Sequence, residues 1–247
     1  MKLLQSEIFK KYPDVIFGFN IKDGLNRKEP YFFNMSMSVG DDEKIVDKNR
    51  AAFFSRLGLN GSNVAIQKQI HSDIITYVTG GGIVGESDAM IADKPGMGLA
   101  ISVADCTPIF IYDPENKVIA GVHSGWKGTE KQILLKTLER LVKDFNSNPQ
   151  NLIVYIGPCI SQIKYEVGKE VASLFDKKYS IKNDDKYLLS VGDINYDMLL
   201  NFGILTDNIE YSKLCTYENR NLHSYRRDGL KSGRSWGIIA MKNNIQK

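Results

Sequence analysis

The chain's 247 residues are enough for one large domain or two small ones, and 43% hydrophobic with 25% charged residues is the composition of an ordinary globular protein. Its 32 basic and 29 acidic residues leave a formal charge of +3, too near balance to argue for nucleic acid or membrane, so a small-molecule partner is expected. Three widely spaced cysteines make no disulfide framework, no run approaches membrane-spanning length, and the N-terminal MKLLQSEIFKK lacks an uninterrupted apolar region; a reducing cytoplasm is the expected setting.

Residues 15–19 (VIFGF) read as the first strand and 20–30 as a polar loop. Residues 31–40 (YFFNMSMSVG) are expected to form an edge strand ending at Asp41 and Asp42. Asp42 is a candidate N-cap for a helix over 43–57, whose Ile45, Val46, Ala52, Phe53 and Leu57 share an apolar face, and Gly58 closes it. Residues 63–67 and 74–78 read as a strand pair flanking Gln69-Ile70-His71-Ser72-Asp73. A lone histidine in a turn is by default a surface residue. Gly80-Gly81-Gly82 lacks the Lys-Ser/Thr of a phosphate loop and is expected as a flexible connection. Asp88, ahead of an apolar run at 90–92, either caps a turn or points into a site.

The stretch 97–129 is the densest in chemistry. Residues 98–103 (GLAISV) and 118–122 (VIAGV) read as buried strands that end in reactive residues. Ala104-Asp105-Cys106-Thr107-Pro108 leaves the first, and His123-Ser124-Gly125-Trp126 leaves the second just before a helix over 129–145. Cys106 and His123 thus fall at neighbouring strand ends, as a metal pair or as a nucleophile with its base. The helix start, with Gly125, Lys127 and Gly128, is either an anion site or only a tight turn. Beyond it, 152–156 reads as a strand, 167–175 and 194–202 as helices around an irregular charged stretch at 177–186, and 209–211 and 236–241 as strands. Arg226, Arg227 and Arg234 gather before the last strand, either as surface salt-bridge formers or as contacts for phosphate or carboxylate. With no repeat or linker to divide it, the chain reads as one compact domain over 1–247, with strands enough for two sheets.

His71, Cys106 and His123 include two of the three histidines and one of the three cysteines. A His₂Cys set leaves a coordination position open; zinc fits it, and copper would bind the same ligands although cytoplasmic availability argues against it. The same residues serve without metal if Cys106 is a nucleophile and His123 its base. A purely structural zinc would need a fourth ligand, for which Cys159 and Cys215 are the candidates.

The segments QIHSD, SDAMIAD, LAISVADCTPIFIYD, GVHSGWKGT, IGPCI, YEVG, SYRRDG and SGR, in that order, resemble the YfiH-like laccase-domain proteins, also called polyphenol oxidases and now regarded as purine nucleoside phosphorylases. The resemblance runs the length of the chain. It implies an α+β fold of two packed mixed sheets flanked by helices, in four layers α/β/β/α. It places metal ligands at His71, Cys106 and His123. It implies phosphorolysis of adenosine, inosine and methylthioadenosine together with adenosine deamination, with purine nucleosides and phosphate as partners. Other activities attached to the family are editing of peptidoglycan precursors by a Cys-His amidase and weak copper-dependent oxidation.

For deamination, activated water must attack C6 of adenine while a carboxylate moves the proton, and Asp105 is the nearest candidate. For phosphorolysis, phosphate needs a cationic cradle, expected from some of Arg226, Arg227, Arg234, Lys127 and Lys22. Asn34 keeps an asparagine common in the family and is counted with the substrate-binding residues. Lys22 stands where the family's start carries an arginine, and His223 where an apolar aromatic is usual.

Overall fold

The computed structural model of the protein describes residues 1–243. Its strands begin with β1 (Leu3–Leu4), β2 (Val15–Asn20), β3 (Val64–Lys68), β4 (Ile75–Tyr77) and β5 (Gly82–Glu86). The central run holds β6 (Ala89–Ala92), β7 (Gly98–Val103), β8 (Thr107–Asp113), β9 (Val118–Ser124) and β10 (Ile153–Ile156). Then come β11 (Glu166–Val167), β12 (Ser180–Asn183), β13 (Lys186–Leu189), β14 (Ile209–Tyr211) and β15 (Ser235–Met241). The helices are α1 (Glu43–Leu57), α2 (Trp126–Glu130), α3 (Ile133–Phe145), α4 (Lys169–Ala172), α5 (Val191–Phe202) and α6 (Tyr225–Asp228).

Two six-stranded mixed sheets carry the fold, in the orders β1-β2-β15-β7-β3-β5 and β14-β10-β8-β9-β6-β4, with a three-stranded sheet β11-β13-β12 beside them. Their inner faces meet in one core, Phe17, Leu99, Ile101 and Ile239 from the first sheet against Met90, Phe110, Ile119 and Tyr155 from the second. Phe17 lies edge-on to Phe110 at 4.9 Å and to Tyr155 at 5.0 Å between ring centroids. Such pairs add roughly 0.5–1.5 kcal/mol each beyond their buried area. The sheets approach closely enough that a Cβ on Gly237 would stand 2.2 Å from the Phe110 ring. Outside the first sheet, α1 packs Phe53 against Val64, Trp236 and Ile238. Outside the second, Leu134, Leu138 and Leu141 of α3 and Leu199 of α5 cover Ile109, Ala120 and Val154. The result is the expected α+β fold in four layers α/β/β/α.

Local chemistry sets several boundaries. Asp42 accepts the Lys44 N–H at 2.8 Å and the Ile45 N–H at 3.4 Å, and Gly58 at φ +68° turns its N–H back to the Phe54 and Ser55 carbonyls, so α1 runs where its cap and stop place it. Elsewhere long-range contacts override the sequence pattern. Residues 31–40 form no strand, because Asn34 is pinned by Ser36, Asp41 and Arg234 and the segment ends in a single 3₁₀ turn at Met37–Val39. The expected helix over 129–145 begins earlier at Trp126, breaks where Gln132 adopts φ +61°, and resumes as α3. Residues 167–175 hold the end of β11 and the single turn of α4, and the charged stretch after them folds into the β12–β13 hairpin. The glycine run at 80–82 leads straight into β5. β3 and β4 belong to different sheets, so the segment between them, which holds His71, crosses from one sheet to the other. Among the described residues no helix is long and apolar enough to cross a membrane.

Candidate metal centre

Three chain segments meet where the two sheets adjoin. His71 lies in the crossing from β3 to β4, Cys106 in the crossing from β7 to β8, and His123 near the end of β9. The antiparallel register of β8 and β9, with Pro108 opposite His123 and Thr107 opposite Ser124, draws Cys106 and His123 together. One ligand atom from each of His71, Cys106 and His123 lies within 4.8 Å of the others. The Cys106 Sγ stands 3.8 Å from His71 Nε2, and the imidazole centroids are 4.9 Å apart. A tetrahedral zinc with sulfur at ~2.3 Å and nitrogen at ~2.0 Å would separate those two donors by about 3.5 Å, close to their spacing here, and three protein donors would leave a fourth position for water or substrate. Gly125 makes room for it, since a Cβ there would meet Cys106 Sγ at 3.0 Å and His71 Cδ2 at 3.1 Å.

Asp88 settles the question the sequence left open by doing both things at once. Its fully buried carboxylate accepts the backbone N–H groups of Ile70 at 3.2 Å, His71 at 3.0 Å and Ser72 at 2.6 Å, and the Ser72 hydroxyl at 2.7 Å. The same carboxylate lies 2.8 Å from His123 Nδ1, which leaves Nε2 as the nitrogen free for a metal. These bonds also hold His71 at φ +58°, a left-handed conformation that a side-chain-bearing residue adopts only under constraint. Behind His123, a buried set of Ser124, Thr129 and Asn195 ties the start of α2 to β9.

Burial by itself would raise the Cys106 thiol, but the charge and hydrogen bond of His123, then those of His71, outweigh it and bring the thiol down to about 6. Burial would lower His123, and here the Cys106 charge and the Asp88 hydrogen bond reverse the sign and raise it. For Asp88 burial is opposed chiefly by the His123 and Ser72 hydrogen bonds, and the carboxyl falls to about 2. The centre is thus poised to hold its cysteine as a thiolate, the form that ligates metal.

His71, Cys106 and His123 stand on the wall of a cleft of about 690 Å³. Arg234 lines it, joined by Arg50, Gln67, Tyr225, Leu230 and Trp236. Other expected residues lie elsewhere. Asn34 is fully buried behind the cleft; its side chain accepts from Ser36 N and Arg234 N, so it shapes the wall without facing the cavity. Arg227 is saturated by Asp228 and by the carbonyls of Thr216, Tyr217 and Leu222, which makes it the clamp of its own loop and not an anion ligand. Lys22 pairs with Asp228 at 2.8 Å on a separate pocket. Lys127 is exposed over the Trp126 ring, and Arg226 donates to the Glu166 carbonyl and stacks on Tyr165; neither lines the cleft. Asp105, at φ +93°, accepts from the Thr216 hydroxyl at 2.6 Å and from Arg226 N at 2.7 Å, so both of its oxygens brace the Cys106 loop.

Cys159 and Cys215 form a β-bridge with each other and take no part in the His-Cys-His group, so neither closes the site as a fourth ligand. Arg50 is the residue that sequence reasoning missed. It lies mid-helix with Asp47 three residues before it, the spacing of an ordinary surface ion pair, so nothing local marks it.

Comparison with known proteins agrees with this geometry. The family model described as multi-copper polyphenol oxidoreductase laccase matches residues 17–242. A protein of Borreliella burgdorferi named purine nucleoside phosphorylase is 30% identical over 251 residues, covering 97% of this chain and 99% of its own length. Another of that name, from Bacteroides thetaiotaomicron, is 31% identical over 221 residues, covering 82% of each chain. The crystal structure of the Bacillus licheniformis hypothetical protein YfiH superposes with a TM-score of 0.92 at 28% identity, covering 97% of this chain and 96% of that one. A match over nearly the whole length, on a fold whose crossings gather the His-Cys-His group, places the chain in the multi-copper polyphenol oxidoreductase laccase family, among its YfiH- and YlmD-type members.

Proposed function

We propose that the protein is a metal-dependent purine nucleoside phosphorylase acting on adenosine, inosine and methylthioadenosine, with adenosine deamination as a second reaction in the cytoplasm. The observation that carries this reading is the convergence of His71, Cys106 and His123 on the wall of one cleft, open on its fourth side. The name shared by its relatives supports the reaction class. Zinc is the proposed ion, on the grounds of a borderline-soft donor set and an expected tetrahedral geometry, with copper the alternative for the same ligands. When bound, such an ion polarises whatever group occupies its open position. The chain's own residues do the rest. Cys106 and His123 hold the reacting end, Asp88 fixes the His123 tautomer, and Asp105 steadies the loop that presents Cys106. Met37, Ile66, Val103 and Leu230 offer apolar wall to a neutral nucleoside.

Incubating metal-assayed protein with adenosine, with and without phosphate, tests the reading. Adenine formed only when phosphate is present supports phosphorolysis, inosine formed in either case supports deamination, and neither product sinks the proposal. The depressed Cys106 thiol favours one second reading, a metal-free Cys106–His123 nucleophile of amidase type. Activity that survives chelation would favour that reading; activity lost to chelation and restored by zinc would exclude it.

A further inference from the structure

Two arginines in the cleft wall share an unusual condition. Arg50 spends its Nε–H on the Met35 carbonyl at 2.9 Å, and its guanidinium lies 4.5 Å above the Trp236 ring. Arg234 donates from one terminal nitrogen to the Ser232 and Gly233 carbonyls at 2.7 and 3.0 Å, and stacks 5.5 Å from the Tyr225 ring. The arginine ion pairs among the described residues are Arg140–Asp144 and Arg227–Asp228, and neither cleft arginine belongs to them. Both are half-buried, and burial lowers both guanidinium pKa values, offset only in part by the charge of Asp47 near Arg50 and by those of Cys106 and Asp105 near Arg234. Arg50 keeps both terminal nitrogens unspent and Arg234 its Nε and second terminal nitrogen, so each stacked guanidinium still presents a fork to an oxyanion.

The wall between them adds further donors. Ser36 and Ser38, with hydroxyls 2.8 Å apart, line the same cleft. Gln67 lies in the same wall, its Oε1 accepting from the Ser87 hydroxyl. Arg234 also lies near enough to Cys106 for the two charges to interact, which puts this end of the cleft beside the metal ligands.

We infer that Arg50 and Arg234, with Ser36 and Ser38, form the binding site for inorganic phosphate, the second substrate of the reaction. The phosphate identity rests on the phosphorylase reading above. A tetrahedral dianion matches two guanidinium forks and the neutral donors around them, and its charge supplies what the wall lacks. In the reaction an oxygen of hydrogen phosphate forms the new bond to C1′ of the ribose. The glycosidic bond to N9 breaks, its electron pair leaves with the purine, and the proton of hydrogen phosphate ends on the purine. The products are the free base and ribose 1-phosphate.

The test uses the full-length, metal-loaded protein. Arg50→Gln and Arg234→Gln should each raise KM for inorganic phosphate at least about thirtyfold, as loss of a charged fork implies, with KM for the nucleoside changed less than about threefold. Arg50→Lys should recover only part of the loss, because a point charge replaces the fork. A measurement on the unmutated site covers variants that fail to fold. Inorganic phosphate titrated into Trp126→Phe protein should alter the emission of Trp236, the remaining tryptophan, under the Arg50 guanidinium; no response at saturating phosphate overturns the inference. An unchanged phosphate KM in both glutamine variants, in an enzyme that does cleave adenosine, overturns it and leaves the phosphorylase reading standing. Arginine-dependent phosphate binding in a protein that cleaves no nucleoside does the reverse. If adenosine 5′-monophosphate is the preferred substrate and only its KM moves in the variants, the site reads a nucleotide's phosphate and the inorganic phosphate assignment falls.

Discussion

Asp88→Asn is the sharpest perturbation of the centre. The carboxylate accepts five hydrogen bonds, Oδ2 from Ile70 N, Ser72 N and the Ser72 hydroxyl, and Oδ1 from His71 N and His123 Nδ1. An asparagine offers one acceptor oxygen and one amide donor, so it can satisfy one side only. With its NH₂ toward Ile70 and Ser72, two backbone donors face a donor, at about 1–3 kcal/mol for each group left unsatisfied. With the NH₂ turned to His123, Nδ1 must become the acceptor, and the proton moves to the Nε2 that a metal needs. Either way the apo fold should lose roughly 2–4 kcal/mol, and zinc affinity should fall about 10- to 100-fold. The acid side gives an independent figure. A carboxyl held at about 2 in the fold contributes stability that is present above its ordinary pKa and lost as pH falls through 2. That contribution is about 2 kcal/mol at neutral pH. Urea unfolding of the metal-free proteins and zinc competition against a chromophoric chelator measure the two effects. An Asp88→Asn protein with wild-type unfolding and a zinc affinity within threefold of wild type would refute the reasoning.

Cys106→Ala should lose both bound metal and nucleoside turnover, whereas Cys159→Ala should keep its metal, because burial pushes the Cys159 thiol up to about 12 and away from ligation; equal metal loss in both would show the ligand set to be wrong. Gly125→Ala should weaken metal binding with the apo fold intact, since the added methyl crowds Cys106 and His71 at an ordinary negative φ; unchanged metal content in the purified variant would contradict this. His223 is buried with neither ring nitrogen paired, and burial, reinforced by the Lys22 and Arg234 charges, lowers its pKa to about 3. The unfolded chain therefore takes up a proton below pH ~6.5 that the fold refuses, so stability drops as pH falls, by roughly 2 kcal/mol between pH 6.5 and 4.5. His223→Leu should abolish that part of the acid sensitivity, and parallel urea midpoints for the two proteins at pH 7 and 4.5 would count against it.

What the sequence disclosed was whatever its local signals encode. Asp42 and Gly58 bracket α1 because a cap and a left-handed stop act within a turn of the chain. His71, Cys106 and His123 stood out because ligand-type residues punctuate the ends of short apolar runs. Arg50 gave no such sign; it becomes a cleft residue only when α1 packs on the first sheet and sets its guanidinium over Trp236. Arg227 and Arg234 look alike in sequence; carbonyls and Asp228 take all three guanidinium nitrogens of the first, while carbonyls take only one of the second, and that decides which is spent. Residues 31–40 show why an apolar-rich segment need not pair. Asn34 satisfies the neighbouring backbone through its side chain, and no ladder forms.

The His-Cys-His group sits where the chain steps between the two sheets. His71 lies on the step from β3 to β4 and Cys106 on the step from β7 to β8, while His123 belongs to the second sheet. An ion bound there acts as a rivet through both layers, and its affinity becomes a gauge of the gap between them. That gap is set some distance away, where Gly237 lets the Phe110 ring seat against the first sheet. Any substitution that wedges the layers apart strains the cage as well as the core, so packing changes far from the cleft register as metal loss before the protein unfolds. Linkage runs the other way too. At a free metal concentration of 100 times the dissociation constant, occupancy adds about 2.7 kcal/mol to the clamped form, and a cell's metal supply becomes a term in the cohesion of the sandwich.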